Sequence, residues 1–177
     1  HAMQAHGVPR GTLDVDVLLS EADATLLADV LVAERGWAPL RWDGAANCYV
    51  RAHGPTPHEI PSSSGELPWM LPLAVGSAVV ELLAARGGRL DSALAESVWI
   101  RHRGIVVPVA PLGAVLAMKA EAAREKDDAA ISQAFEALPR AALSKALRWV
   151  ERWDPAAADD LRARAEEVAL RHPRPMG

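Results

Sequence analysis

The chain has 177 residues, half of them apolar, and a formal net charge of −4. That length is enough for one hydrophobic core of ordinary size. The negative net charge excludes a protein that binds nucleic acid through general basicity, although it is compatible with a local basic surface. A single cysteine, Cys48, excludes an internal disulfide and a cysteine-rich zinc site. The longest apolar run, 69–80, contains Pro72 and is too short to cross a bilayer. We therefore expect a cytoplasmic protein without membrane contact.

The first predicted element is a strand over 12–19, where the sequence TLDVDVLL alternates apolar and polar residues. Thr12, Asp14 and Asp16 then share one face of the strand. Two carboxylates about 6–7 Å apart raise each other's pKa and destabilise the fold unless a proton or cation offsets their charge. A divalent metal is the usual offset. The alternative is that one acid caps a turn while the other faces solvent.

Turn sequences separate the remaining predicted elements of the first half, which are a helix over 20–36, strands over 37–42, 47–52 and 56–60, and a helix over 69–86. Ser20 is the N-cap candidate of the first helix, and Gly36 ends that helix. The sequence PSSSGELP, which precedes the second helix, is predicted to be a loop.

The second half is predicted to be mostly helical. Two strands, or one bent strand, are expected around Arg103 and Gly104, with Val106, Val107 and Val109 buried. Helices follow over 111–125, 126–137, 140–153 and 156–171, and Pro111 opens the first of them. Strands first and helices later predict an α/β (α+β) domain followed by a small helical part.

The opening sequence HAMQAHGVPRGTLDVDVLLSE resembles the start of the active site in the nucleotidyltransferase superfamily, specifically in AbiEii/MenT-like toxins. In that family a Gly-Gly turn and a short helix precede a strand that carries [ST]-x-D-x-D. Here the helix would be 1–6, and the Gly-Gly turn would lie upstream of His1. The resemblance implies a nucleotidyltransferase-like mixed sheet with flanking helices over 1–137 and a helical extension over 138–177.

By the same resemblance, Asp14 and Asp16 would hold Mg²⁺ or Mn²⁺, and Thr12 would help to position an NTP. The later sequence PLGAVLAMKAEAAREKDDAAISQAFEAL is similar to a family segment in which a helix bears a lysine and is followed by a Lys-Asp pair. That lysine is Lys119, which would face the triphosphate. The residues implied to line the same cleft are Arg124, Lys126 and Asp127.

The position of Lys119 is unusual apart from the resemblance, because its predicted helix is otherwise apolar. A lysine in such a helix either extends its ammonium group to water or meets an anion.

A third carboxylate is expected as well, because many superfamily members use it as the base for the acceptor hydroxyl. Glu59, in the sequence PHEIP, is one candidate, although it equally suits a loop cap. Asp128 is the other, since Ala130 stands where the family has an acid.

Basic residues in the last third are candidates for a second site. Lys145, Arg148 and Arg152 share one side of a predicted helix near Arg140, either as a solvated face or as an RNA-backbone contact. The resemblance implies transfer of a nucleoside monophosphate to an acceptor hydroxyl, with the 3′ end of tRNA as acceptor, by a toxin paired with an antitoxin. The alternatives are transfer to a small hydroxylated molecule such as an aminoglycoside, and a non-catalytic nucleotide- or RNA-binding module of the same fold.

Overall fold

The computed structural model describes residues 2–9, 14–60, 65–102 and 104–171. Helices and strands are both present in quantity, and a mixed sheet has helices beside it, which confirms the predicted α+β class. The chain forms two compact units: the first spans 12–95, and the second combines 2–11 with 96–177. The boundary predicted at residue 137 falls inside the second unit and stays a prediction. No helix in these ranges is long and apolar enough to cross a membrane.

In chain order the described elements are α1 (Ala2–Ala5), β1 (Asp14–Ser20), α2 (Glu21–Ala33), β2 (Ala38–Asp43), β3 (Cys48–Arg51), β4 (His58–Glu59), β5 (Trp69–Val75), β6 (Ala78–Ala85), α3 (Gly88–Ala95), β7 (Val98–His102), β8 (Ile105–Val109), α4 (Leu112–Ala122), α5 (Glu125–Ala137), α6 (Arg140–Glu151) and α7 (Pro155–Arg171). Most of the predicted elements are confirmed within one to three residues. Ser20 caps α2 as predicted, because its Oγ accepts a hydrogen bond from the backbone N–H of Asp23.

The first unit is built on a sheet in the order β1-β6-β5-β2-β3, with β4 also paired to β5. The β1–β6 pair is parallel, and the other pairs are antiparallel. One face of the sheet packs against α2 through a core that includes Ala28, Leu71, Leu82 and the partly buried Val17. Because side chains alternate along a strand, the residues between these core positions lie on the opposite face.

The helix predicted over 69–86 is wrong: this segment is a hairpin of β5 and β6. The two strands are joined by Gly76 and Ser77, and Gly76 has a φ of 58°, which glycine adopts at little cost. Strands covered on both faces read as unbroken apolar runs, so the period of two is absent from the sequence. The following sequence, RGGRLD, leads into and begins α3.

The second unit contains the β7–β8 hairpin and the helices α4 to α7. Leu116, Ile131, Val150 and Leu161, one from each helix, are buried and form much of its core. Both predicted strands are confirmed, but the predicted burial of Val106 is wrong, because this side chain is 48% exposed. Val107 and Val109 are only half-buried. Among the described strands, β7 and β8 pair only with each other.

At Gly113 the helices α4 and α6 lie close together. A Cβ atom at this position would lie 2.6 Å from the carbonyl oxygen of Ala146 and 2.6 Å from Cβ of Trp149. We therefore expect Gly113→Ala to push the helices apart and to lower the free energy of unfolding by about 1–3 kcal/mol, despite alanine's better helix propensity. Urea denaturation measures this change. Gly44→Ala, where nothing lies within 4 Å, is the control and should change stability by less than about 1 kcal/mol; equal losses would contradict the close approach.

Candidate functional site

The parallel pairing of β1 with β6 brings two acidic residues together in the first unit. Asp16 lies directly opposite Glu81 in the register of the two strands. Neighbouring strands are about 4.8 Å apart, and directly opposed residues point to the same face. Asp16 is exposed and Glu81 is half-buried. The two carboxylates therefore share the sheet face that α2 does not cover.

Glu81 has a neighbour that orients it. The hydroxyl of Tyr49, on β3, donates a short hydrogen bond to Oε1 of Glu81. Tyr49 is held in turn by Trp42, its partner in the β2–β3 register, with the two rings edge to face and 5.2 Å apart between centroids. A hydrogen bond to one carboxylate oxygen fixes the orientation of the Glu81 side chain.

The predicted residues of the first unit have different positions relative to this pair. Thr12 lies outside the described residues, and so does the side chain of Asp14, whose backbone begins β1. Glu59 pairs with Trp69, which in turn pairs with Ala84. These three paired residues lie on the face of the sheet that packs against α2, opposite to the face of Asp16 and Glu81. The register therefore does not bring Glu59 to the carboxylate pair.

The donor chemistry of the Asp16–Glu81 face suits a hard divalent cation. Carboxylate oxygens are preferred ligands of Mg²⁺, which also keeps several positions for water and phosphate. Within the described ranges, no group of three or more His, Cys, Asp or Glu side chains is placed to hold a metal ion. The predicted ligand Asp14 lies outside that set. Asp16 fits the role of one ligand, to which Asp14 would add a second, and Glu81 lies opposite Asp16 as a carboxylate that can act as a base.

In the second unit, Lys119 and Arg124 converge on Asp127. The Lys119 ammonium lies 2.7 Å from one Asp127 oxygen, and Nε of Arg124 lies 2.6 Å from the other. The Asp127 side chain is only 1% exposed, against 20% for Lys119 and 60% for Arg124. Burial alone would raise the pKa of Asp127, but hydrogen bonds and charge from the two cations outweigh burial and lower it.

This cluster has a local structural origin. Ala123, the residue after α4, adopts a left-handed φ of 48°, and α5 begins two residues later. Asp127 thus lies in the first turn of α5, where a negative charge is favoured by the helix dipole. Lys119 therefore meets an anion inside its own unit, so an apolar helix around it does not by itself require a phosphate. The predicted contact of Lys119 with a triphosphate stays a prediction.

The neighbouring charges on α5 are solvent-facing. Lys126 is exposed. Asp128, the second candidate for the third acid, is also exposed and forms an ion pair of 2.6 Å with Arg164 of α7.

Among the predicted RNA-contacting residues, Lys145, Arg148 and Arg152 line one cavity beside α6, whereas Arg140 is not part of its lining. Arg152 donates two hydrogen bonds to the carboxylate of Glu96, at 3.0 and 2.9 Å. Glu151, at the same rim, pairs with Arg162 at 2.7 Å. Lys145 and Arg148 form no ion pair within the described part of the chain.

Sequence reasoning missed Glu81 and Tyr49, and one signal could have found Glu81. A Gly-Ser pair between two apolar runs is typical of a two-residue hairpin turn. With a turn at Gly76 and Ser77, the sequence AVVELLAA becomes a strand, and its single charge becomes conspicuous. No comparable signal marks Tyr49, because its contact depends on the order of strands in the sheet.

Comparison with protein-family models finds no match for this chain. Comparison with curated proteins finds none either. A functional assignment therefore has to rest on the sequence motif and on the geometry of the two units.

Proposed function

We propose that this protein is a metal-dependent nucleotidyltransferase that moves a nucleoside monophosphate from an NTP to an acceptor hydroxyl. The observation that supports it best is the position of Asp16 opposite Glu81 on the face of a mixed sheet that α2 does not cover. The D-x-D sequence at Asp14 and Asp16 adds a second acid on the same strand. Paired carboxylates that hold a divalent ion are what phosphoryl and nucleotidyl transfer require.

In this mechanism Asp14 and Asp16 would hold Mg²⁺ or Mn²⁺, which would supply positive charge against the triphosphate. Glu81, oriented by Tyr49, accepts the proton of the acceptor hydroxyl as its oxygen attacks the α-phosphorus. The new P–O bond forms in line with the bond to the leaving pyrophosphate, which breaks and carries away its electron pair. Two carboxylates held on adjacent strands need no loop movement to reach this arrangement.

The acceptor in this proposal is RNA, with the 3′ end of tRNA as its reactive hydroxyl, and the physiological role is that of a toxin restrained by an antitoxin. The support for these finer points is the resemblance of the opening and later motifs to AbiEii/MenT-like proteins. The transfer reaction can be tested separately from the acceptor. A defect in one need not imply a defect in the other.

The direct test incubates the protein with each α-³²P-labelled NTP, Mg²⁺ and total bacterial RNA. Label in a band of tRNA size, lost when Mg²⁺ is chelated, is the expected result. Label in an added aminoglycoside instead would assign a small-molecule acceptor. Nucleotide binding without transfer to either acceptor would favour the non-catalytic module and contradict the proposed enzyme.

The two glutamates of the sheet provide a matched comparison in the same assay. Glu81→Gln removes the proposed base but keeps its shape, so we expect transfer to fall by about 10²–10⁴-fold. Glu59→Gln makes the same chemical change on the opposite face and should leave the rate nearly unchanged. Initial rates at saturating NTP measure both. The reverse order of effects would move the third acid to Glu59 and refute the assignment of Glu81.

A further inference from the structure

A cavity of about 820 Å³ lies in the second unit, between the β7–β8 hairpin and the helices α4 and α6. Its apolar wall consists of Val98, Ile100, Leu112, Ala142 and Trp149. This volume falls within the range of small-molecule sites, which are mostly apolar with a few polar groups. The cavity is thus large enough for a drug-sized organic molecule.

The hairpin above the cavity is poorly covered by protein. Trp99 is 71% exposed and Val98 is 40% exposed, and both line the cavity. A two-stranded hairpin is only marginally stable in water unless another layer packs on its apolar side. A ligand with an apolar body would supply part of that layer and bury these two side chains.

The charged residues at the rim of the cavity determine which ligand charge is favoured. Arg152 and Glu151 are already engaged with Glu96 and Arg162, so their charges are largely offset. Lys145 and Arg148 line the same cavity, are exposed, and have no ion-pair partner among the residues described. The rim therefore carries an excess of positive charge next to an apolar wall.

Trp149 is a buried part of the cavity wall. It is 6% exposed, and its buried Nε1–H has no hydrogen-bond acceptor in the described part of the structure. This nitrogen has no surface open to the cavity, so Trp149 contributes apolar ring surface to the wall.

We propose that this cavity binds a small organic anion, with its apolar body against Val98, Trp99 and Ala142 and its negative group on Lys145 and Arg148. The proposal does not depend on nucleotidyl transfer, because every residue involved belongs to the second unit. It also gives Lys145 and Arg148 a different partner from the RNA backbone predicted by their spacing. A carboxylate, sulfonate or phosphate would serve equally as the negative group.

The test uses two dyes with the same aromatic body. 1-Anilinonaphthalene-8-sulfonate carries the negative group, and N-phenyl-1-naphthylamine lacks it. Titration of the full chain, followed by fluorescence, should give one site for the sulfonate and an affinity about tenfold higher than for the neutral dye. Equal affinities, or several sites per chain, would overturn the proposal.

Variants of α6 locate the site. Lys145→Gln and Arg148→Gln should each lower the affinity for the sulfonate dye several-fold and leave the affinity for the neutral dye unchanged. Ala142→Trp should fill the cavity and abolish binding of both dyes. Arg140→Gln, the same loss of charge on the same helix but outside the lining, should change neither. If Arg140→Gln weakened binding of the sulfonate dye as much as Lys145→Gln does, general surface charge would explain the binding and the proposal would be overturned. Displacement of the dye by a single-stranded oligoribonucleotide at lower concentration than by octanoate would assign the cavity to RNA and overturn the proposal.

Discussion

Asp16→Asn is expected to reduce nucleotide transfer by about a thousandfold while the protein stays folded. The substitution keeps the size of the side chain but removes a negative ligand from the face that Asp16 shares with Glu81. It also relieves repulsion between neighbouring carboxylates, so the melting temperature without metal should stay the same or rise. Mg²⁺ and NTP together should then no longer raise the melting temperature, because stabilisation by a ligand requires its binding.

Two measurements on one variant separate a catalytic pair from a structural one. Transfer rates come from the labelled-NTP assay, and melting temperatures are recorded with and without Mg²⁺ and NTP. Asp29→Asn is the matched control, because Asp29 is an exposed acid on α2, which packs on the other face of the sheet. If Asp16→Asn lowered the melting temperature and retained wild-type transfer, Asp16 would be a structural acid and the proposed mechanism would be wrong.

The second large effect is expected at Asp127, and it concerns stability. Asp127→Ala removes the anion that holds Lys119 and Arg124, and breaking a buried ion pair from one side typically costs 3–5 kcal/mol. We expect the free energy of unfolding to fall by about 3 kcal/mol, the lower end of that range, because the two cations left behind can reach water. Urea denaturation at neutral pH measures the loss.

Asp128→Asn provides the control for this prediction on the next residue of the same helix. Its ion pair with Arg164 joins two partly exposed side chains, so its loss should cost less than about 1 kcal/mol. Similar losses of stability in Asp127→Ala and Asp128→Asn would contradict the role assigned to the buried Asp127.

The pH dependence of stability follows from the lowered pKa of Asp127. A carboxyl group whose pKa is lower in the folded state stabilises the fold above its unfolded pKa, near 3.8, and loses that contribution as the pH falls through its folded pKa. The stability difference between wild type and Asp127→Asn should therefore be constant near neutral pH and should narrow below pH 3.8. An unchanged difference in acid would contradict the lowered pKa.

The elements with a clear local signal were predictable from the sequence. The alternation in DVDVLLS marks β1, and Ser20 with an acidic first turn marks α2. The β5–β6 hairpin was not predictable in the same way, because its strands lie between other strands and carry apolar residues on both faces. Alanine and leucine in such strands suit a helix equally well, so only the Gly76–Ser77 turn distinguishes the two.

The candidate site was predictable only where its residues are close in sequence. Asp14 and Asp16 stand two residues apart, and the strand period is enough to relate them. Glu81 reaches Asp16 through the parallel pairing of β1 with β6, and parallel pairing leaves no mark within either strand. The partner of Lys119 could be suspected from its apolar helix, but its identity depends on how α4 and α5 turn at Ala123.

The parallel pairing of β1 and β6 also has a kinetic consequence. The hairpins β2–β3 and β5–β6 close short loops, which takes microseconds, whereas β1 must find β6 across the segment 21–77. Closing that segment rather than a two-residue turn costs about 3 kcal/mol of loop entropy, from about five doublings of loop length. Asp16 and Glu81 thus meet through the most sequence-distant strand pairing of their unit, so a newly made chain has neither the carboxylate pair nor any activity that depends on it until residues beyond β6 have been synthesised.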